Sequence, residues 1–253
     1  MRSLLGTATL AALAAPALPS PASWGPVRTA LTPAVCTPAL SGLSDRPHVA
    51  LTFDDGPDRR STPLFLRTLD RLGVRATFFV LGRHLADHGL VGEMAAAGHE
   101  VGVHGWDHRP ASLHGPRRLR DDVARTRDLV EDATGRPVQW HRPPYGVITG
   151  ASTWAAGQAG LRTVLWSAWG RDWERRATPS TVVALVEQQL EPGGTVLLHD
   201  SDRTSAPGSW RTTLRAVEQL VPQWLDRGLA VGPLADHWGG YDTRRSSLST
   251  TSA

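Results

Sequence analysis

His48-Val49-Ala50-Leu51-Thr52-Phe53-Asp54-Asp55-Gly56-Pro57 starts as a short apolar run and stops on two adjacent carboxylates and a turn. Residues 48–53 read as a strand. In a regular strand, neighbouring side chains point to opposite faces. Gly56-Pro57 forces a turn at that point, so both carboxylates can converge on one end of the sheet. Alone this signal is weak, because Asp-Gly turns are frequent and often mean little.

The same arrangement repeats outward along the chain. Further apolar runs predict strands over 76–80, 100–103, 138–142, 163–166, 195–198 and 229–231. Between them, helical patterns are expected over 62–72, 85–97, 116–134, 152–158, 178–190 and 212–227. Thr178-Pro179-Ser180 reads as a helix start, and Gly73, Gly98, Gly160 and Gly228 fall where left-handed cap residues are expected. Seven strands separated by helices imply parallel pairing, since parallel neighbours need long crossovers. The expected fold class is α/β, a closed or nearly closed β/α barrel in a single domain over 47–241. A doubly wound open sheet is the alternative.

Five of the seven strand ends carry chemistry, the carboxylate pair at the first among them. After the third strand comes His104-Gly105-Trp106-Asp107-His108. Two histidines four apart fall on one face of a helical turn, within reach of one metal ion. With a carboxylate they suit Zn²⁺, Co²⁺, Ni²⁺ or Fe²⁺. Two unrelated surface histidines would be the ordinary reading of such a pair taken alone, and His99 just upstream is expected to start the strand and not to be a ligand. After the fourth strand, Arg142-Pro143-Pro144-Tyr145-Gly146 is a stiffened loop that carries an Arg to the same end, where it can pair with a carboxylate. After the fifth, Trp166-Ser167-Ala168-Trp169-Gly170-Arg171-Asp172-Trp173 offers flat rings suited to sugar faces. After the sixth, Leu197-Leu198-His199-Asp200 puts a histidine where a general acid would stand. All five signals lie at C-terminal strand ends, where β/α barrels build active sites.

The bulk properties narrow the partners. The 253 residues include 27 basic residues, every one Arg, and the net charge is +3 with a pI near 9.9. The charges are scattered, with no basic stripe interleaved with aromatics, so nucleic-acid binding is not expected. Cys36 is the single cysteine and cannot form an internal disulfide. Residues 1–22 read as a secretory signal peptide or leader, with Arg2, an apolar run from Leu4 to Leu18 and a small-residue site at Ser20-Pro21-Ala22. A flexible spacer over 23–46 and a disordered tail over 242–253 are expected. No membrane span is expected, and the leader places the protein outside the cell or at the cell envelope. A monomer is expected.

Taken in order, Thr52–Pro57, His104–His108, Arg142–Gly146, Asp172-Trp173 and Leu197–His199 resemble the five motifs of the NodB-homology polysaccharide deacetylases, carbohydrate esterase family 4. The resemblance spans roughly 49–231. It implies a distorted (β/α)7 barrel that removes N-acetyl, or occasionally O-acetyl, groups from a glycan such as peptidoglycan or a chitin-like polymer. It implies a divalent metal, Zn²⁺ foremost, held by Asp55, His104 and His108. Asp54 would be the general base with Arg142 holding it, and His199 the general acid oriented by Asp172. Trp173 and Leu197 would shape the acetyl pocket, and the Tyr145 N–H would help bind the oxyanion. Two departures stand out: Gly105 where the family commonly has Ser or Thr, and Trp169-Gly170 where many members have Asp and a small polar residue. A non-catalytic metal- and glycan-binding domain and a hydrolase of a small non-sugar amide are the competing readings.

Overall fold

The computed structural model describes residues 38–86 and 88–237. The expected leader, Cys36 and the expected tail over 242–253 lie outside these residues, as does the spacer up to residue 37.

The first strand, β1 (His48–Asp54), is buried at every position. It has partners on both edges and side chains packed on both faces, which is why its sequence is apolar almost throughout rather than alternating. β2 (Thr77–Val80) lies beside its second half, with Thr52 opposite Thr77. On the other edge lies β7 (Thr195–His199), with Asp54 opposite His199. The sheet continues through β3 (Glu100–Val103), β4 (Trp140–His141) and β5 (Arg162–Thr163) on one side and β6 (Ala168–Trp169) on the other. The order is β5-β4-β3-β2-β1-β7-β6, and β8 (Ala230–Gly232) pairs with the start of β1. Every pairing is parallel. The sheet curls into a distorted β/α barrel whose two ends, β5 and β6, are not paired with each other among the described residues.

That seam corrects one expectation. The fifth strand, expected over 163–166, is split: Arg162–Thr163 and Ala168–Trp169 belong to opposite ends of the sheet. Residues between them cross the seam. Leu165 and Trp166 are buried there with Ile148 and Leu197, so their apolar character reports core packing, not strand pairing. The Leu165 N–H donates to the Leu40 carbonyl at 2.9 Å. Residues 38–46 are therefore part of the folded unit and not spacer: the first helix, α1 (Pro38–Ser41), is followed by a turn whose Gly42 carbonyl accepts from Thr195 Oγ1 at 2.6 Å. The folded unit thus includes residues before the boundary expected at 47.

The crossover helices are α2 (Thr62–Arg71), α3 (His88–Ala96), α4 (Pro116–Thr134), α5 (Gly150–Gln158), α6 (Pro179–Gln189) and α7 (Ser209–Asp226), with a short α8 (Leu234–His237) after β8. α4 buries Leu119, Val123, Thr126 and Val130, a stripe at helical spacing. α6 starts where Thr178-Pro179 places it, with the Thr178 and Thr181 side chains capping each other's backbone N–H groups. Between helices and sheet, Phe53 sits fully buried with ring centroids 5.1 Å from both Phe65 and Phe78. Burying one such ring stabilises the fold by roughly 1.5–3 kcal/mol. Among the described residues no helix is long and apolar enough to cross a membrane.

Candidate active site

The C-terminal ends of β1, β3, β4, β6 and β7 meet at one cleft of about 180 Å³. Its floor is Asp54, Asp55, His104, His108 and His199, and its walls include Tyr145, Trp173 and Leu197. Arg142 and Asp172 are fully buried behind it. All ten residues singled out in the sequence are thus brought to one place.

Asp54 ends β1, and Asp55 follows with φ +77. The turn that reverses the chain there has no room for a side chain at Gly56: a Cβ would come 2.5 Å from Asp200 Oδ1. Both carboxylates stay inside, at 2% and 1% exposure. Asp54 Oδ1 accepts from Arg142 Nη1 at 2.8 Å, and the same nitrogen reaches Thr52 Oγ1 at 2.8 Å. Arg142 Nη2 donates to the Leu165 carbonyl at 2.8 Å, and the guanidinium lies 4.1 Å above the Phe79 ring. Asp54 Oδ2 remains toward the cleft, 3.7 Å from His104 Nε2.

The two histidines do converge, but not on a helical turn. Residues 104–108 form a bent loop in which Gly105 has φ +89 and His108 φ +56. A glycine suits that conformation, which gives a backbone reason for the departure at Gly105. His104 Nδ1 donates to the Arg142 carbonyl at 2.8 Å, which turns Nε2 toward Asp55 Oδ1 at 3.4 Å. His108 Nε2 lies 3.2 Å from the same oxygen. His99 stands at the other end of β3, accepting from the Ala76 N–H.

The electrostatics follow from burial against these carboxylates. Burial alone would raise the Asp55 pKa, but the close approach of His104 Nε2 and the fields of His199, His108 and His104 hold it below the usual range. Burial opposes charge on His104, yet Asp54 and Asp55 together raise its pKa. His108, where burial wins, falls to about 4.

The donor set fits a divalent cation. Asp55, His104 and His108 each offer one atom, all within 4.8 Å of one another. Asp55 Oδ1 is buried and accepts no well-formed hydrogen bond, an orphan that costs free energy unless a cation takes it. Two imidazole nitrogens and one carboxylate oxygen are the ligand types of an open, three-ligand site.

On the opposite side, Asp172 accepts from the His199 N–H at 2.8 Å, from His199 Nδ1 at 3.0 Å and from Thr213 Oγ1 at 2.7 Å. Burial would suppress charge on His199, but Asp172 first, then Asp55 and Asp54, raise its pKa to about 10. Its Nε2 faces Asp55 Oδ2 at 3.9 Å. Trp173 meets the His199 ring edge-on with centroids 5.3 Å apart, and Trp169 bridges Trp173 and Trp166 at 5.2 and 5.8 Å.

Among the described residues the non-glycine positions with left-handed backbone are Asp55, His108, Tyr145 and Arg171. Three are candidate site residues and the fourth precedes Asp172. Such conformations cost on the order of 1–3 kcal/mol each and gather where geometry is imposed for function. Tyr145, at φ +60, packs its ring at a tilt against His108 with centroids 4.4 Å apart, and its N–H makes no hydrogen bond among the described residues. Three hydroxyl contributors escaped the sequence reading: Thr204 and Ser205 line the cleft, and Thr213 supports Asp172. Their loop and helix carry no pattern that separates them from solvated polar residues.

Known proteins resemble this chain in sequence and in fold. The pattern of the polysaccharide deacetylase family matches residues 42–164. A chitooligosaccharide deacetylase of Bradyrhizobium sp. (strain ANU 289) is 36% identical over 200 residues, 76% of this chain and 91% of that protein. Among solved structures, a peptidoglycan N-acetylglucosamine deacetylase in complex with an N-oxidanyl-benzamide superposes with a TM-score of 0.71 at 29% identity, over 78% of this chain and 90% of the other. A pseudoenzyme of carbohydrate esterase family 4 from Bacillus anthracis superposes at 0.68 and 26% identity, over 77% and 66%. This chain therefore belongs to the polysaccharide deacetylase family, hydrolases of carbon–nitrogen bonds other than peptide bonds.

Proposed function

We propose that this protein removes N-acetyl groups from N-acetylglucosamine units of a peptidoglycan or chitin-like glycan, outside the cell or at its envelope, as a Zn²⁺-dependent monomer. One observation carries the reading: Asp54 and His199 flank the Asp55–His104–His108 set, and each is held by its own buried partner, Arg142 and Asp172. The names of the relatives support the substrate class, and the peptidoglycan deacetylases among them support the location.

Asp55, His104 and His108 would hold the cation, with Co²⁺, Ni²⁺ or Fe²⁺ as alternatives to Zn²⁺. Bound there, it would polarise the acetyl carbonyl and make a water more acidic. Asp54 Oδ2, the oxygen not committed to Arg142, takes the proton from the attacking water. The Tyr145 N–H donates to the oxygen that becomes negative, where a preset donor is worth most. Trp173 and Leu197 close around the acetyl methyl and keep bulk water out. His199, with Nδ1–H held by Asp172, delivers its Nε2 proton to the nitrogen as the C–N bond breaks. An amine leaves poorly without that proton.

A binding-only role is the second reading, because the fold supports a pseudoenzyme. A binder needs neither Asp54 nor His199, nor a protonated imidazole at the cleft, so the chain's own residues favour catalysis. The test is acetate release from N-acetyl-chitooligosaccharide and from peptidoglycan with Zn²⁺ or Co²⁺ supplied. Asp54→Asn should lose about 10²–10⁴-fold in rate while keeping its metal by elemental analysis. Full activity of Asp54→Asn would overturn the base assignment, and turnover of a small amide with no acetate from either glycan would overturn the substrate class.

A further inference from the structure

The two oxygens of Asp55 have different surroundings. Oδ1 faces His104 and His108. Oδ2 accepts a hydrogen bond from Thr204 Oγ1, which comes from the loop between β7 and α7, 149 residues along the chain.

That loop is fixed to the one that carries Asp55. Arg60 Nη2 bridges Asp58 Oδ2 at 3.0 Å and Asp202 Oδ1 at 2.8 Å. Arg203 Nε reaches the buried Asp58 Oδ2 at 3.3 Å. Asp202 Oδ2 closes the loop on itself by accepting the Gly208 N–H at 2.6 Å. Thr62 Oγ1 donates to Asp200 Oδ2 at 2.5 Å, joining the start of α2 to the end of β7. Exposed ion pairs contribute little singly, but here several converge on buried carboxylates between two loops. Their effect is to set the distance between Thr204 and Asp55.

We propose that Thr204 is a positioning residue for the cation: by occupying Oδ2, its hydroxyl leaves Asp55 to bind through Oδ1 alone. A carboxylate turns easily about its last side-chain bond. Without the Thr204 anchor, Asp55 can turn to offer both oxygens, or close the 3.9 Å gap to His199 Nε2. The hydroxyl therefore keeps the ligand aimed at the two histidines and apart from the general acid. Hydrogen bonds to metal ligands act this way generally, and their loss costs about 10–100-fold in metal affinity or activity.

This inference rests on the metal-site reading above, and the experiment separates the two. Zn²⁺ affinity of the whole protein is measured by competition with a chromophoric chelator, and the Co²⁺ form by visible absorption. Thr204→Val keeps the bulk and removes the donor. It should bind Zn²⁺ roughly 10–100-fold more weakly and shift the Co²⁺ bands, while Thr204→Ser, which restores the hydroxyl, returns both toward wild type. If Thr204→Val fails to fold by circular dichroism, Thr204→Ala against Thr204→Ser gives the same comparison. Wild-type affinity and spectrum without the hydroxyl would overturn the role of Thr204. His108→Ala is the control: unchanged metal binding there would mean that the site itself is misassigned.

Discussion

Removing the charge of Asp172 tests how His199, the proposed general acid, is kept protonated. Its carboxylate lies 3.0 Å from His199 Nδ1 and is fully buried. Two unit charges at that distance attract by about 5–6 kcal/mol at an effective dielectric near 20, worth roughly 4 pKa units. Burial of the ring opposes this, and the imidazole settles at about 10 from an ordinary 6.5. Asp172→Asn should return it to about 6.5 or below. With wild type near 10, the protonated fraction then differs little at about pH 6 and by roughly 300-fold at about pH 9. The assay is the pH dependence of kcat for acetate release, wild type and variant in the same metal. The alkaline limb of the variant should lie about 3.5 units lower. Asn can also misorient the ring and lower the rate at every pH, so the position of the limb, not the size of the loss, is decisive. The same shift is linked to stability. A raised folded-state pKa contributes fully below the unfolded value of about 6.5, and the contribution is lost as pH rises through about 10. The alkaline decline in Tm should therefore flatten in Asp172→Asn. A uniform loss of rate, with the limb and the decline in Tm unmoved, would refute the electrostatic role of Asp172.

Two further outcomes follow from the cleft walls and its floor. Trp169→Ala removes the ring between Trp166 and Trp173. KM for a chitooligosaccharide should rise about tenfold, the equivalent of ~1.4 kcal/mol of stacking, while hydrolysis of a small acetate ester is unchanged; an unchanged KM for the glycan would remove Trp169 from the sugar wall. Gly56→Ala drives a Cβ into the Asp200 carboxylate and should cost about 1–3 kcal/mol in unfolding free energy together with bound metal; wild-type values of both would mean that the turn is not wedged there.

Much of this architecture was legible in residue order because its determinants are local. An apolar run such as 48–53, closed by a turn and followed by a helical pattern, reports one β/α unit. Repeating that unit implies parallel strands, and parallel strands place their ends together, so Asp54, His104, Arg142 and His199 could be assigned to one mouth before any contact was known. Tertiary structure decided what depends on distant partners. Arg142 meets Asp54 across 88 positions and Thr204 meets Asp55 across 149, separations that leave no periodic trace. The seam between β5 and β6 arises because Leu165 and Trp166 pack inward, and an apolar residue looks the same in sequence whether it faces a core or joins a ladder. Residues 38–46 read as spacer because their anchors, Thr195 and Leu165, lie far along the chain. The left-handed backbone at Asp55, His108 and Tyr145 is likewise imposed from outside. The surrounding packing must offset its strain to bring the proposed metal ligands and the Tyr145 N–H to one cleft.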